Sequence, residues 1–241
     1  MTTELVQYKF ENGIATITLD DGKRNALSPA LLRGLNAAID RAETDSACVV
    51  ITGRESVLSA GFDLKVMQRG GRAAIGMLSA GYALPARLLA YPHPVVVACN
   101  GHVLAMGVFM MLSADYVIGT SGDFKVSANE VAIGMTMPRV AAAVLRNRLT
   151  PAAYQRAVTL SEYFDTESAR SAGFFDELVE ADDLMPRALE CVQALQQLDP
   201  AAHVASKRRI RKPLLRSLRW GRPLDLVDAM LQGLRRARQN D

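Results

Sequence analysis

The chain has little of what builds metal centres or disulfide frameworks. Its 241 residues include three cysteines and three histidines. Cys48, Cys99 and Cys191 are odd in number, far apart and set among apolar residues. They read as buried free thiols in a reducing compartment, not as a bridged scaffold. His93, His102 and His203 do not cluster with cysteine at any metal-ligand spacing, so no metal is expected. The opening MTTELVQYKFENG carries acids and no apolar h-region, which is not a secretory signal. The longest apolar stretch, VLAMGVFMMLSA (103–114), falls short of the roughly 20 residues that span a bilayer. A cytoplasmic protein without membrane contact is expected. No Rossmann glycine fingerprint, phosphate-loop motif or internal repeat occurs. The net charge of +3 is too small to argue for nucleic acid over the whole surface.

What is present is an ordinary globular composition, 49% apolar and 22% charged. It supplies a core for one large domain, or one domain with a small appendage. Residues 4–19 alternate and break at Asn12-Gly13, a hairpin signal. Ser28 and Pro29 open a helix over 28–43, with Leu31, Leu32, Leu35, Ala38 and Ile39 at helical spacing. Valine-rich runs at 47–53 and 93–101, and a third run at 114–120, predict buried strands. Segments 72–91 (bent at Pro85), 139–161 (restarting at Thr150-Pro151) and 165–173 read as helices, as does everything beyond 182. Strands alternating with helices indicate an α/β domain at 1–194, followed by a helical region at 195–241. The last helix carries Leu224, Val227, Leu231 and Leu234 on one side, with arginines near its end. That stripe must pack on the body or on a neighbouring subunit.

Three segments stand apart. VLSAGFDLKVM (57–67) puts small residues and Gly61 before Phe62, Asp63 and Lys65. CNGHVLAMGVFMMLSAD (99–115) ends a strand at Asn100-Gly101, continues as a loop of small residues, and starts an uncharged helix near Ala105-Met106-Gly107. NEVAIGMTMP (129–138) holds one acid, Glu130, in an apolar setting. The first two each offer a backbone N–H at a strand-to-helix junction, where amides are unpaired and carry partial positive charge. Two such amides aimed at one point make an oxyanion hole.

This arrangement resembles the crotonase, or enoyl-CoA hydratase/isomerase, family. KRNALSPALL (23–32), LSAGFDLK (58–65), VACNGHVLAMG (97–107), NEVAIGMTMP and TESARSAGFFDELV (166–179) are similar to five of its segments, in order. The resemblance implies a spiral of ββα units, a helical C-terminal trimerisation region giving a homotrimer or hexamer, and an acyl-CoA thioester substrate. No cofactor is implied, since coenzyme A enters as part of the substrate. It makes the amides of Phe62 and Met106 the oxyanion donors and Glu130 the catalytic base. Arg24, Ala26, Ala60, Asp63, Leu64, Lys65 and Gly107 become substrate-binding positions.

Family hydratases use two glutamates, and here Phe109 stands at the first position. Met106 also replaces a glycine, and Asn129 replaces the proline before the glutamate. Hydration needs a second carboxylate for the water, whereas moving a proton between carbons needs one base. The resemblance therefore implies a Δ3-Δ2-enoyl-CoA isomerase first, a hydratase second, and a non-catalytic acyl-CoA-binding protein as the competing class. Plainer roles stand beside these. Glu130 can pair with an arginine such as Arg139, Asp63 can cap a helix, and Asp115 can hold the fold together. His102 can be a hydrogen-bonding core residue. Lys65 and Arg24 can be solvated charges or coenzyme A contacts. Met106, Met110, Met111, Met135 and Met137 can pack a core or line an acyl pocket. Between Lys207 and Arg222 lie eight basic residues and no acid. That run reads as a solvated face, a contact for coenzyme A phosphates, or an RNA contact. Its one aromatic, Trp220, provides poorly for base stacking, so nucleic acid is not the expected partner.

Overall fold

A strand–strand–helix unit recurs along the chain. The computed structural model describes residues 4–239, with side chains through Gly233. Strands β1 (Val6–Glu11) and β2 (Ile14–Leu19) pair antiparallel, with Glu11 opposite Ile14. Asn12 and Gly13 both take positive φ, as a two-residue turn between twisted strands requires. Helix α1 (Pro29–Thr44) follows, capped by the Ser28 side chain on the Leu31 N–H. Next come β3 (Cys48–Thr52), β4 (Ser56–Ser59), α2 (Leu64–Arg69) and α3 (Gly71–Ala90). The third unit is β5 (Val95–Cys99), β6 (Gly101–Leu104) and α4 (Met106–Met111). The fourth is β7 (Tyr116–Thr120), β8 (Val126–Ser127), a 3-10 turn at Val131–Ile133, α5 (Arg139–Arg148) and α6 (Pro151–Leu160).

From the second unit on, the two strands of each unit go to different sheets. The large sheet runs β1-β2-β3-β5-β7-β9, and the small one β4-β6-β8. Every neighbour pair except β1–β2 is parallel. This is the spiral of ββα units that the resemblance implies. Helix α7 (Thr166–Ala172), capped by Asp165 and ended by left-handed Gly173, leads to β9 (Glu177–Val179). Helix α8 (Leu184–Leu195) covers one face of the large sheet, where Ile14, Cys48, Val50, Val96, Ile118 and Cys191 form a separate apolar layer. The opposite face carries the main core. All three cysteines are free and buried.

Four readings of the sequence need correction. The loop of small residues after Gly101 is strand β6. A side chain at Gly101 would sit 2.0 Å from the Ser56 backbone, so glycine is what lets β6 pair with β4 there. β4 likewise intervenes between β3 and the Ala60-Gly61 segment. Helix α3 has the length and hydropathy of a membrane span, unlike the shorter run judged above, but half of it is buried within the fold. It packs against α1, α4 and α9, as a core helix does.

The fourth correction concerns the last helix, α9 (Pro200–Gln239), which packs on α3 and α5. Its stripe toward the body is Lys207, Arg211, Leu214, Leu218, Gly221 and Asp225, while Leu224, Val227 and Leu231 are exposed. The side chains of Leu234 and the arginines near the end lie outside the described residues. The basic run therefore splits. Lys207 and Arg211 turn inward and reach Asp115 at 2.7 and 2.9 Å. Arg208, Arg209, Lys212, Arg216, Arg219 and Arg222 face solvent. Asp115 also accepts the Val95 N–H, so this acid holds the fold together.

Candidate active site

Two of the segments that stood apart, 57–67 and 99–115, meet at the edge of the small sheet. Leu27 forms a parallel bridge with Phe62, its N–H donating to the Gly61 carbonyl at 2.8 Å. Ala60 N–H donates to the Arg24 carbonyl at 3.0 Å. Asn25 is fully buried with φ 51°, and its side-chain amide reaches the carbonyls of Leu19, Val57 and Leu58. Asparagine tolerates that left-handed backbone, and the three contacts fasten the loop to β4. Ser59 Oγ links the same parts, donating to the Asn25 carbonyl and accepting the Gly61 N–H.

Gly61 brings this edge against the start of α4. Its φ is +83°, and a side chain there would meet Ala105 Cβ at 2.8 Å and Met106 N at 3.3 Å. Gly107 is equally constrained, since a Cβ on it would lie 2.8 Å from that of Ser59. The Phe62 and Met106 amides, one residue past these contacts, are thereby neighbours across the junction. Neither donates in the loop, turn and cap hydrogen bonds of the described residues. Met106 opens α4, where the first amides have no intrahelical acceptor. Ala105 ahead of it has φ 49° and ψ −124°, a backbone that L-residues rarely adopt.

The acid is close to a pure desolvation case. Glu130 is 5% exposed, and its Oε2 is buried with no hydrogen-bond partner in the described residues. Burial pushes its carboxyl up to about 7, opposed only by its own N–H. Arg139 does not pair with it, being engaged by Asp225 and Asp228 of α9. Phe109 is buried in α4, part of the main core. Its burial is worth roughly 2–3 kcal/mol.

The remaining residues separate into two groups. Asp63 caps α2, accepting from Lys65 N at 2.8 Å and Val66 N at 3.3 Å. Ala26 and Ala60 are half-buried beside the junction, whereas Arg24, Leu64 and Lys65 are exposed on its rim. His102 accepts the Lys125 N–H and stacks edge-on to Phe124. Met106, Met110 and Met111 are core, while Met135 and Met137 line a cavity. Sequence reasoning gave no part to Asn25 and Ser59: both lay inside matched segments, but the contacts that brace the junction reach distant segments.

Comparison with known proteins agrees with this architecture. The enoyl-CoA hydratase/isomerase family model matches residues 9–230. The structure of an enoyl-CoA hydratase/isomerase family protein from Pseudomonas syringae superposes with a TM-score of 0.90 at 43% identity, covering 93% of this chain and 97% of that one. An apo enoyl-CoA isomerase of Mtb gives 0.88 at 43% identity, covering 92% and 97%. The 2,3-dehydroadipyl-CoA hydratase of Escherichia coli is 29% identical over 78% of this chain and 74% of its own. With a match over almost its whole length and a fold shared at this level, the chain belongs to the crotonase, or enoyl-CoA hydratase/isomerase, family of enzymes.

Proposed function

We propose that this enzyme is a Δ3-Δ2-enoyl-CoA isomerase with Glu130 as its single base. The observation that carries the reading is a buried carboxyl without an ion-pair partner among the described residues, raised to about 7; the family resemblance adds that Phe109 stands where hydratases have a second acid. The thioester oxygen lies between the Phe62 and Met106 amides. Glu130 takes a proton from C2 of a 3-enoyl thioester, and the electron pair moves toward the carbonyl. The negative charge gathers on the oxygen that the amides hold, and losing one such donor costs about 3 kcal/mol in the barrier. The same carboxyl then returns its proton to C4, leaving the double bond between C2 and C3. A base poised near neutrality suits both halves of that cycle. Nothing is consumed and no cofactor takes part.

The Mtb protein named an isomerase in one structure is named a probable hydratase in another, so the choice rests on the single acid. Under the same reading, region 195–241 associates copies into a trimer or hexamer through the exposed Trp220, Leu224, Val227 and Leu231. The test is the ultraviolet band of the conjugated enoyl group. It should grow when 3-hexenoyl-CoA is added, and Glu130→Gln should slow that growth about 10^3-fold. Undiminished turnover in the variant disposes of the proposal. Loss of the band from crotonyl-CoA would make the enzyme a hydratase, and coenzyme A binding without either change would make it a binder.

A further inference from the structure

The junction needs a glycine, and that need creates a weakness. A side chain on Gly61 would meet Ala105 Cβ at 2.8 Å, the Leu104 carbonyl at 3.1 Å and Met106 N at 3.3 Å. Its φ of +83° also favours glycine. Yet glycine is the residue least able to hold one conformation by itself. The peptide that carries the Phe62 N–H must therefore be fixed from outside.

Two contacts fix it. The Leu27 N–H donates to the Gly61 carbonyl at 2.8 Å. In a trans peptide the N–H points opposite to the C=O, so this bond turns the Phe62 N–H away from Leu27. The second contact is Ser59 Oγ, which accepts the Gly61 N–H at 3.2 Å and donates to the Asn25 carbonyl at 2.8 Å. Ser59 ends β4 and is fully buried, so bulk water replaces neither bond. The register of β4 on β6 shifts between Val57 and Ser59, and such a bulge re-aims the side chain beside it. Ser59 also reaches the other half of the site. A Cβ on Gly107 would lie 2.8 Å from Ser59 Cβ and 3.1 Å from its Oγ. One hydroxyl thus joins the Asn25 loop, the Gly61 peptide and the first turn of α4.

The two amides are held differently. Met106 opens a helix, and Ala105 ahead of it donates to the Ser127 carbonyl at 2.8 Å. Regular structure fixes that side. The Phe62 side depends on Leu27 and Ser59. Resting on the reading of these amides as thioester donors, we propose that Ser59 is a positioning residue of the reaction, its hydroxyl holding the Gly61 peptide so that the Phe62 and Met106 N–H groups stay aimed at one oxygen. Ser59→Ala leaves the Gly61 N–H and the Asn25 carbonyl without this partner, and the Gly61 peptide is free to turn. The loss falls on charge that develops in the transition state, so it enters kcat and spares KM.

The test measures 3-hexenoyl-CoA turnover in the wild type, Ser59→Ala and Tyr91→Phe. The last variant also removes a buried hydroxyl, which donates to the Ala47 carbonyl at 2.8 Å at the start of β3, whereas the junction follows the far end of that strand. Ser59→Ala should lower kcat about 10–100-fold with KM within about threefold, and Tyr91→Phe should leave both unchanged. Bound 2,4-hexadienoyl-CoA reads the donors without turnover, since its absorbance moves to longer wavelength as its carbonyl is polarised. That shift should appear in the wild type and in Tyr91→Phe and should shrink in Ser59→Ala. A kcat kept within about threefold, an undiminished shift, a rise in KM alone, or an equal loss in Tyr91→Phe overturns the proposal. Should Ser59→Ala not fold, Ser59→Cys fills the same place with a weak donor and acceptor and should show the same two losses. If 3-hexenoyl-CoA is not turned over at all, the isomerase reading fails by itself, while the absorbance shift still decides the role of Ser59.

Discussion

Two acids inside this fold, Asp115 and Glu130, have opposite surroundings. Asp115 sits at the end of the large sheet and meets Lys207, Arg211 and the Val95 N–H. Burial pulls the Lys207 ammonium below its ordinary value, and the Asp115 carboxylate opposes that pull. Glu130 has no ion-pair partner among the described residues and is held toward its neutral form by burial. A charge whose partners are supplied by the fold is committed to the fold. An acid left without partners costs stability when ionised, and that cost is consistent with a carboxyl kept for chemistry. The difference lies in the partner inventory, since both acids are largely withdrawn from water.

Removing one acid and then the other should move stability in opposite directions. Asp115→Ala leaves Lys207 and Arg211 buried with only the carbonyls of His93, Leu89 and Ala114 and no anion, which should cost about 3–5 kcal/mol in urea unfolding. An unchanged midpoint would make the cluster decorative. Glu130→Gln should stabilise instead. The folded carboxyl titrates near 7 and the unfolded one near 4.5, so the folded state binds more protons between those values. Stability of the wild type therefore falls as pH rises through that window. The variant escapes the fall and should gain about 3 kcal/mol at pH 8, shrinking to under about 1 kcal/mol at pH 5. A gain that does not depend on pH would show that the acid is not held neutral. The same titration should appear in wild-type catalysis as a rise of kcat/KM for 3-hexenoyl-CoA centred near pH 7; a rise centred near 4.5 would remove the poised base. The smallest effect belongs to Asp225→Asn. It weakens the capping of α5 and the tie to Arg139, and should cost about 1–2 kcal/mol by thermal unfolding.

Much of the fold was legible because its signals are local. Asn12-Gly13 makes its own turn, Thr150-Pro151 starts its own helix, and Gly173 ends one. The family segments located the junction at Gly61 and Met106 for the same reason. What stayed hidden depends on distant partners. Strand β6 exists because Gly101 lies against Ser56, which no window around either residue contains. The apolar stripe of α9 left packing on the body or on a neighbouring subunit open; the face turned to the body holds Lys207 and Arg211 instead. Their acceptable burial is explained only by an acid some 90 residues away. Whether Glu130 paired with Arg139 was undecidable in the sequence for a like reason, since the competing acids, Asp225 and Asp228, sit on the last helix.

One carboxyl carries a proton from one carbon to another in the proposed reaction, and following a label tests that step most directly. Converting 3-hexenoyl-CoA deuterated at C2, in ordinary water and with the product examined early in the reaction, should deliver part of the deuterium to C4. Glu130→Gln should abolish the transfer together with turnover. Deuterium appearing at C4 in Glu130→Gln at the wild-type rate would contradict the central claim.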